Sequence, residues 1–219
     1  MNVIISKNNS WSENLFKLVS DKSDQFIWMS EINTEVLDSL KPQWIFFFHW
    51  SDIVDAEIYT KYKCVVIHTG NLPYGRGGSP IQNQILDGIV TTKVNLIEMG
   101  PVIDGGSVYT SHEITLQGNL TDIWCMIANV SATLILNCVN NCLEPLPQIG
   151  ETSLYKRRKD NKIIFDKSKD ISYIYDQIRM LDAEDYPNVY LEVDGYTLEF
   201  SRAKLQNKTI IADVKITKK

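Results

Sequence analysis

The sequence predicts an α/β protein: a mostly parallel sheet flanked by helices over residues 1–150, then a small α+β domain over residues 151–219. Three observations lead there. Short apolar, β-branched or aromatic runs alternate with segments of helical periodicity, the pattern of strand–helix units that build a parallel sheet. One run, "WIFFFHW" (Trp44–Trp50), is apolar throughout except for His49, as a strand covered on both faces requires. Near residue 150, "LPQIGETSLYKRRKDNK" breaks the alternation with Pro, Gly and a basic cluster, which marks a linker.

The elements follow in order. "NVIIS" (Asn2–Ser6) reads as a buried strand. Trp11 to Val19 reads as a helix, with Ser10 or Ser12 as its cap and Leu15, Phe16 and Val19 on one face. "FIWM" (Phe26–Met29) is a second strand, "TEVLDSL" (Thr34–Leu40) a short helix stopped before Pro42, and "KCVVIH" (Lys63–His68) a fourth strand after Trp44–Trp50. In "SPIQNQILDG", Ser79 suits an N-cap, Pro80 the first helical position and Gly88 the C-terminal stop. "TKVNLIEM" and "SVYTSHEI" read as strands joined by "GPVIDGG". A longer helix runs from about Thr121 to Asn140, with Ile123, Ile127, Val130 and Leu134 on its buried face. Beyond the linker lie a helix, "ISYIYDQIRML", and a hairpin, "NVYLEVDGYTLEF", turning at Asp194-Gly195.

Bulk properties exclude some functions. A chain with 44% hydrophobic and 22% charged residues is balanced for a packed core, not for disorder. A formal charge of −5 gives no chain-wide attraction to nucleic acid phosphates. The four cysteines form no C-x-x-C pair and only three histidines are present, so no zinc site is expected; buried free thiols in a reducing compartment are. "MNVIIS" lacks the basic start and long apolar run of a signal peptide, and Trp44–Phe48 is too short to span a bilayer. A cytoplasmic protein acting on neither membranes nor nucleic acid is the expectation.

In open α/β sheets, ligands bind where loops leave the carboxyl ends of the strands. The residues delivered there are His49 to Asp52, His68, and Asp104 in the glycine-flanked turn after Met99. A histidine can move a proton near neutral pH, and a carboxylate beside it stabilises its charged form; a capping histidine and a plain turn aspartate would look the same. His68 opens "HTGNLPYGRGGSP", which holds four of the eleven glycines. That stretch follows the wrong strand for a dinucleotide fingerprint and lacks the G-K-[ST] of a phosphate loop. No G-x-S-x-G elbow occurs either. The glycines therefore mark a path on which main chain comes close to something else.

"HTGNLPYGRGGSPIQNQILDG" resembles the first signature of the folate-dependent formyltransferases, with His68, Leu72-Pro73, Arg76-Gly77 and Pro80-Ile81 in register. "VTTKVNLIEMGPVIDGGSVY" resembles the second, and puts Asp104 at the family's catalytic aspartate, 104 − 68 = 36 residues after His68. "KPQWIFFF" is similar to the strand before the folate pocket. The resemblance covers residues 1 to about 145, implies a Rossmann-like formyltransferase fold, and is strongest to the branch that formylates nucleotide-linked amino sugars; the tail is similar to that branch's small C-terminal domain.

What it implies is transfer of formyl from 10-formyltetrahydrofolate to a sugar amine, without a metal. His68 and Asp104 would be catalytic. The family's Asn-x-His is broken here, because Val66 stands two before His68; Asn83 is the candidate replacement donor, with Asn71, Asn95 and His49 behind it. Folate would lie against His49, Trp50, Ile53, Met99, Pro101 and Val102, and the substrate against Tyr74, Arg76, Gly77, Arg157 and Arg158. The aromatics of "YPNVYLEV" would allow a homodimer. Three alternatives stand beside this: formylation of an aminoacyl group on tRNA or a carrier, a folate-binding or hydrolytic relative without transfer, and an unrelated α/β binding module.

Overall fold

The computed structural model of the chain describes residues 1–219 except Lys167. Its strands are β1 (Asn2–Ser6), β2 (Phe26–Met29), β3 (Trp44–Phe48), β4 (Cys64–Thr69), β5 (Arg76–Gly77), β6 (Thr91–Glu98), β7 (Val108–Thr115), β8 (Leu154–Tyr155), β9 (Val189–Val193), β10 (Tyr196–Gln206) and β11 (Thr209–Lys218). The helices are α1 (Ser10–Ser20), α2 (Thr34–Leu40), α3 (Ala56–Lys61), α4 (Pro80–Leu86), α5 (Leu120–Asn140) and α6 (Ile171–Arg179). Six strands form the main sheet in the order β2-β1-β3-β4-β6-β7. The three pairings among its first four strands are parallel, and the β4–β6 and β6–β7 pairings are antiparallel.

The apolar runs explain the layers. Along a strand, successive side chains point to opposite faces. Ile4, Phe46 and Phe48 therefore join the core with α1 and α5, while Val3, Ile5, Ile45 and Phe47 pack beneath Leu37 of α2 and Ile58 of α3. A strand buried on both sides cannot alternate with polar residues, which is why β3 is wholly apolar. By length and composition α5 could cross a membrane, but its apolar face is spent on α1 and the sheet. A capping box between Asn119 and Asp122 starts it.

Several local expectations change. The cap of α1 is Asn9, whose Oδ1 accepts from the Ser12 amide at 3.0 Å, not Ser10 or Ser12. Ser79 sits at φ +49 and caps nothing through its side chain; its hydroxyl accepts from the Arg158 amide at 3.1 Å instead. Gly88 does follow α4 at φ +74, and Asp194-Gly195 turns the β9–β10 hairpin with both φ values positive. Of the cysteines, Cys64 and Cys138 are buried but Cys125 and Cys142 are exposed. α3 and β11 lie where no element was expected; the latter makes the tail a three-stranded antiparallel sheet, β11-β10-β9.

The two-faced core sets a clear contrast in stability. Phe46 is fully buried and Ile216 is 64% exposed on β11. Phe46→Ala is expected to cost about 3–5 kcal/mol in urea unfolding, and Ile216→Ala less than about 0.5 kcal/mol.

Candidate active site

His68 ends up beside Asp104 by an indirect route. Because β6 runs antiparallel to β4, His68 lies beside Asn95 and Val65 beside Glu98. The carboxyl end of β6 therefore points away from His68, by about 10 Å over three residues. The expectation that both groups leave parallel strand ends is corrected here. Residues 99–107 fold back along the sheet and return Asp104, at φ +50, to His68. Gly106 makes this path possible: a Cβ there would sit 1.8 Å from the Glu98 carbonyl oxygen.

The His68 Nδ1 lies 3.3 Å from Asp104 Oδ2, with both side chains largely buried. The glycine loop holds each of them with main chain. His68 Nε2 is 2.9 Å from the Gly75 carbonyl oxygen, and the Gly77 amide donates to Asp104 Oδ2 at 2.9 Å. Both neighbours of the His68 ring are acceptors, so the ring points a proton at one of them in its neutral form and at both when charged. Asp104 Oδ1 has no hydrogen-bond partner among the described residues.

The glycines are explained by what lies against them. A Cβ at Gly77 would be 2.5 Å from the Tyr155 carbonyl oxygen, and one at Gly78 would be 2.7 Å from the Arg157 Cβ. The presumed linker is in fact strapped to the loop. β8 pairs with β5, the Gly78 amide donates to Tyr155 at 3.1 Å, and the Ser153 hydroxyl accepts from Gly75 at 2.8 Å. Arg157, Arg158 and Lys159 are thereby brought to the rim of the cleft, where Lys7 also lies. Among the described residues, none of these four has an ion-pair partner.

The cleft holds about 1160 Å³ and is lined by β4 from Val66 to Thr69, the loops after β3 and β6, and the tail. Of the expected folate residues, His49, Trp50, Ile53, Met99, Pro101 and Val102 all border it, as do Gly77, Arg157 and Arg158 of the substrate group. Three others do not. Tyr74 stacks edge-on against Tyr155, 6.0 Å between ring centres. Arg76 turns its guanidinium to Gln148, donating from Nε at 3.1 Å and Nη2 at 2.7 Å. The Asn83 amide donates to the carbonyls of Gly78 and Lys156, which uses both of its protons. The Asn95 amide is likewise committed, to Gly70, His68 and Lys93. Val66 itself lines the cleft with no donor to offer.

His49 borders the cleft, yet both ring nitrogens serve the protein. Nδ1 faces the Asn9 amide at 3.0 Å and Nε2 the Tyr186 hydroxyl at 3.1 Å. Asn9 Oδ1 is already taken by Ser12, so the amide donates; the His49 proton therefore sits on Nε2. Trp124 and Trp11 enclose the ring edge-on at 4.5 and 5.5 Å. Burial, then the charges of Lys7 and Arg157, push its pKa down to about 4. Trp50 packs on Phe47, and its buried indole N–H has no partner among the described residues.

Comparison with known proteins now bears on this geometry. Residues 159–217 match the family model described as the methionyl-tRNA formyltransferase C-terminal domain. A solved structure described as a methionyl-tRNA formyltransferase from Clostridium thermocellum is 34% identical, with a TM-score of 0.93 over the full length of both chains. The chain belongs to the formyltransferase family. A methionyl-tRNA formyltransferase of Syntrophomonas wolfei is 24% identical over 187 residues, covering 80% of this chain and 59% of that protein. The chain thus spans about three-fifths of that relative's length. A likely sugar N-formyltransferase from Mycobacterium tuberculosis shares the fold, with a TM-score of 0.67 at 16% identity, covering 86% of this chain and 90% of that one. The sugar branch, to which the signatures looked closest, is therefore a distant structural neighbour within the formyltransferase family.

His49 gives a pH test. Its folded pKa lies below the ordinary value of 6.5, so the unfolded chain binds a proton that the folded chain refuses between about pH 6.5 and 4. The contribution is full above pH 6.5 and is lost as pH falls towards 4, by up to about 3 kcal/mol. His49→Asn, which tolerates the positive φ at this position, should flatten that part of the pH profile of urea midpoints.

Proposed function

We propose that the chain transfers a formyl group from 10-formyltetrahydrofolate to a primary amine, using His68 and Asp104. The observation that carries this is the His68 Nδ1–Asp104 Oδ2 contact of 3.3 Å bordering a large cleft. The cleft suits a pterin donor, since Trp50, Val54, Tyr59 and Met99 give it an apolar, aromatic wall. Among the described residues no cluster of three metal-ligating side chains occurs.

The formyl carbon exchanges its bond to the donor nitrogen for one to the amine nitrogen, tetrahydrofolate leaves with a proton equivalent to the one the amine sheds, and the chain's own residues carry those protons. Asp104 Oδ1, without a hydrogen-bond partner among the described residues, is placed to accept the proton that the amine sheds. In its charged form His68 points Nε2–H at the Gly75 carbonyl while Nδ1–H faces Asp104, and that Nε2 proton is the one offered to the oxygen as it gains charge. With Val66 in place of an amide and Asn83 and Asn95 committed elsewhere, none of these three side chains shares that duty. Burial strengthens both interactions, since charge in a low-dielectric cleft is poorly screened.

For the acceptor, the relatives favour the aminoacyl end of a tRNA over the nucleotide-linked amino sugar that the signatures suggested, since both the family model and the 34% identical structure are described as methionyl-tRNA formyltransferases. One observation keeps the sugar reading as the second. Residues 151–219 carry fourteen Lys and Arg against twelve Asp and Glu, a tail whose net charge of +2 attracts a phosphate backbone only weakly. The cations at the cleft rim suit a phosphate on either carrier.

Incubation with 10-formyltetrahydrofolate and a panel of methionyl-tRNA and nucleotide-linked amino sugars separates the readings, with formate release in acceptor-free controls reporting hydrolysis. His68→Ala and Asp104→Ala should each lower the transfer rate on the order of 10²–10⁴-fold. An unchanged rate in either variant removes that residue from the chemistry.

A further inference from the structure

We infer that Gln148 is a positioning residue for the reaction proposed above: gripped by Arg76, it fixes the turn that carries Asp104 against His68. The turn needs such a fixture. It folds back from the wrong end of β6, and beyond Met99 its apolar side chains do not anchor it, because Val102 is 59% and Ile103 65% exposed. Main-chain bonds tie down its two ends, Met99 to the Cys64 carbonyl and Glu98 to the Ser107 carbonyl; between them, apart from the bond of Asp104 itself to Gly77 and a local Gly105–Val102 bond, Gln148 supplies the hydrogen bonds of the turn. Gln148 Nε2 donates to the Asp104 carbonyl at 2.8 Å and to the Gly106 carbonyl at 2.8 Å, straddling the turn.

Arg76 determines which way that amide faces. A guanidinium only donates, so the Gln148 oxygen must face it, and the amide's two protons must face the carbonyls. Two donors of Arg76 meet the Gln148 Oε1, and a Cβ on Gly105 would stand 3.4 Å from Arg76 Nη1, so the guanidinium also lies directly on the turn. Arg76 belongs to the same three-residue stretch whose flanking main chain holds His68 through Gly75 and Asp104 through Gly77. Main chain and side chain of one short segment therefore register both groups, and Gln148 closes the loop between them. Neither Arg76 nor Gln148 borders the cleft, so the pair acts through Asp104 and touches no ligand.

Displacement of a reacting group by about 1 Å can cost on the order of 10²-fold in rate. Gln148→Ala should therefore lower kcat about 10- to 100-fold while KM for donor and acceptor stays within about twofold. Gln148→Glu keeps an acceptor for Arg76 but has no protons for the two carbonyls, and should not rescue kcat. Arg76→Ala combined with Gln148→Ala should lose no more than the worse single variant, as expected of one unit.

This inference rests on the formyl-transfer reading, and a ligand-free measurement separates the two. The ¹⁵N resonances of the His68 imidazole report hydrogen bonding at Nδ1 and Nε2, and should shift in Gln148→Ala relative to the parent chain. Should that variant fold poorly, Arg76→Lys keeps the charge, loses the fork and should show the same shift in smaller degree. Unchanged His68 resonances in the folded variants, or a loss confined to KM, overturn the positioning role. Shifted resonances in a protein that formylates no acceptor of the panel uphold it and reject the transfer reading.

Discussion

The close approach of two backbones, Gly77–Gly78 and Tyr155–Arg157, is the constraint on which the candidate site depends. Any side chain at those glycines would collide with main chain or with the first carbon of a side chain, at 2.5 to 2.8 Å. Only because both are glycine can β5 and β8 pair, and only that pairing holds the loop where Gly75 meets His68 and Gly77 meets Asp104. A hydrogen bond to a charged group contributes about 1.5–3 kcal/mol, so the Gly77–Asp104 bond is one of the stronger single ties in this region. The strap exchanges conformational freedom in two loops for a fixed relation between a histidine on β4 and an aspartate in the turn after β6.

The tail is consequently part of the cleft at both ends. At one end its strap carries Arg157 and Arg158 to the rim. At the other, Tyr186 reaches the neutral His49 ring, enclosed by Trp11 and Trp124, and through it Asn9 at the start of α1. A charged imidazole inside that aromatic enclosure would lack an anionic partner, which is the physical sense of its depressed pKa. The basic run and the tyrosine together make residues 151–219 a wall of the cleft. An appendage hung from a flexible linker would leave that wall missing.

Much of this was legible in the amino-acid order, and the omissions have physical causes. Runs such as "NVIIS" and "WIFFFHW" announce strands because burial on both faces leaves only apolar residues. The 36-residue spacing of His68 and Asp104 survives as a motif because His68 is fixed near the end of β4 and Asp104 in a turn held by main chain. The direction of β6 was not legible: a strand's own residues encode its burial, whereas parallel or antiparallel pairing is decided by the partner and the connection. Arg76 looked like a ligand-binding charge because its neutral partner, Gln148, lies 72 residues on in a segment without periodicity. Ser79 looked like a cap because serine before Pro usually is one, but the strap claimed its hydroxyl. Long-range hydrogen bonds between irregular segments leave no period to read, and the site is built mostly from them.

The emptied position at Val66 gives those bonds added weight. Where an amide beside the histidine would share the stabilisation of a developing charge, the cleft has an isopropyl group, and the amides of Asn83 and Asn95 are bound to main chain. In the reaction proposed, that stabilisation falls on a single His–Asp contact. An interaction shared among several donors tolerates the displacement of one, because the others remain in reach. A contact of 3.3 Å without a second donor does not, since electrostatic stabilisation of the oxygen then depends on one geometry. In the reaction proposed, Val66 where the resemblance implies an asparagine and the double grip of Gln148 on the Asp104 turn fit together: the fewer the donors, the more rigidly the pair must be held.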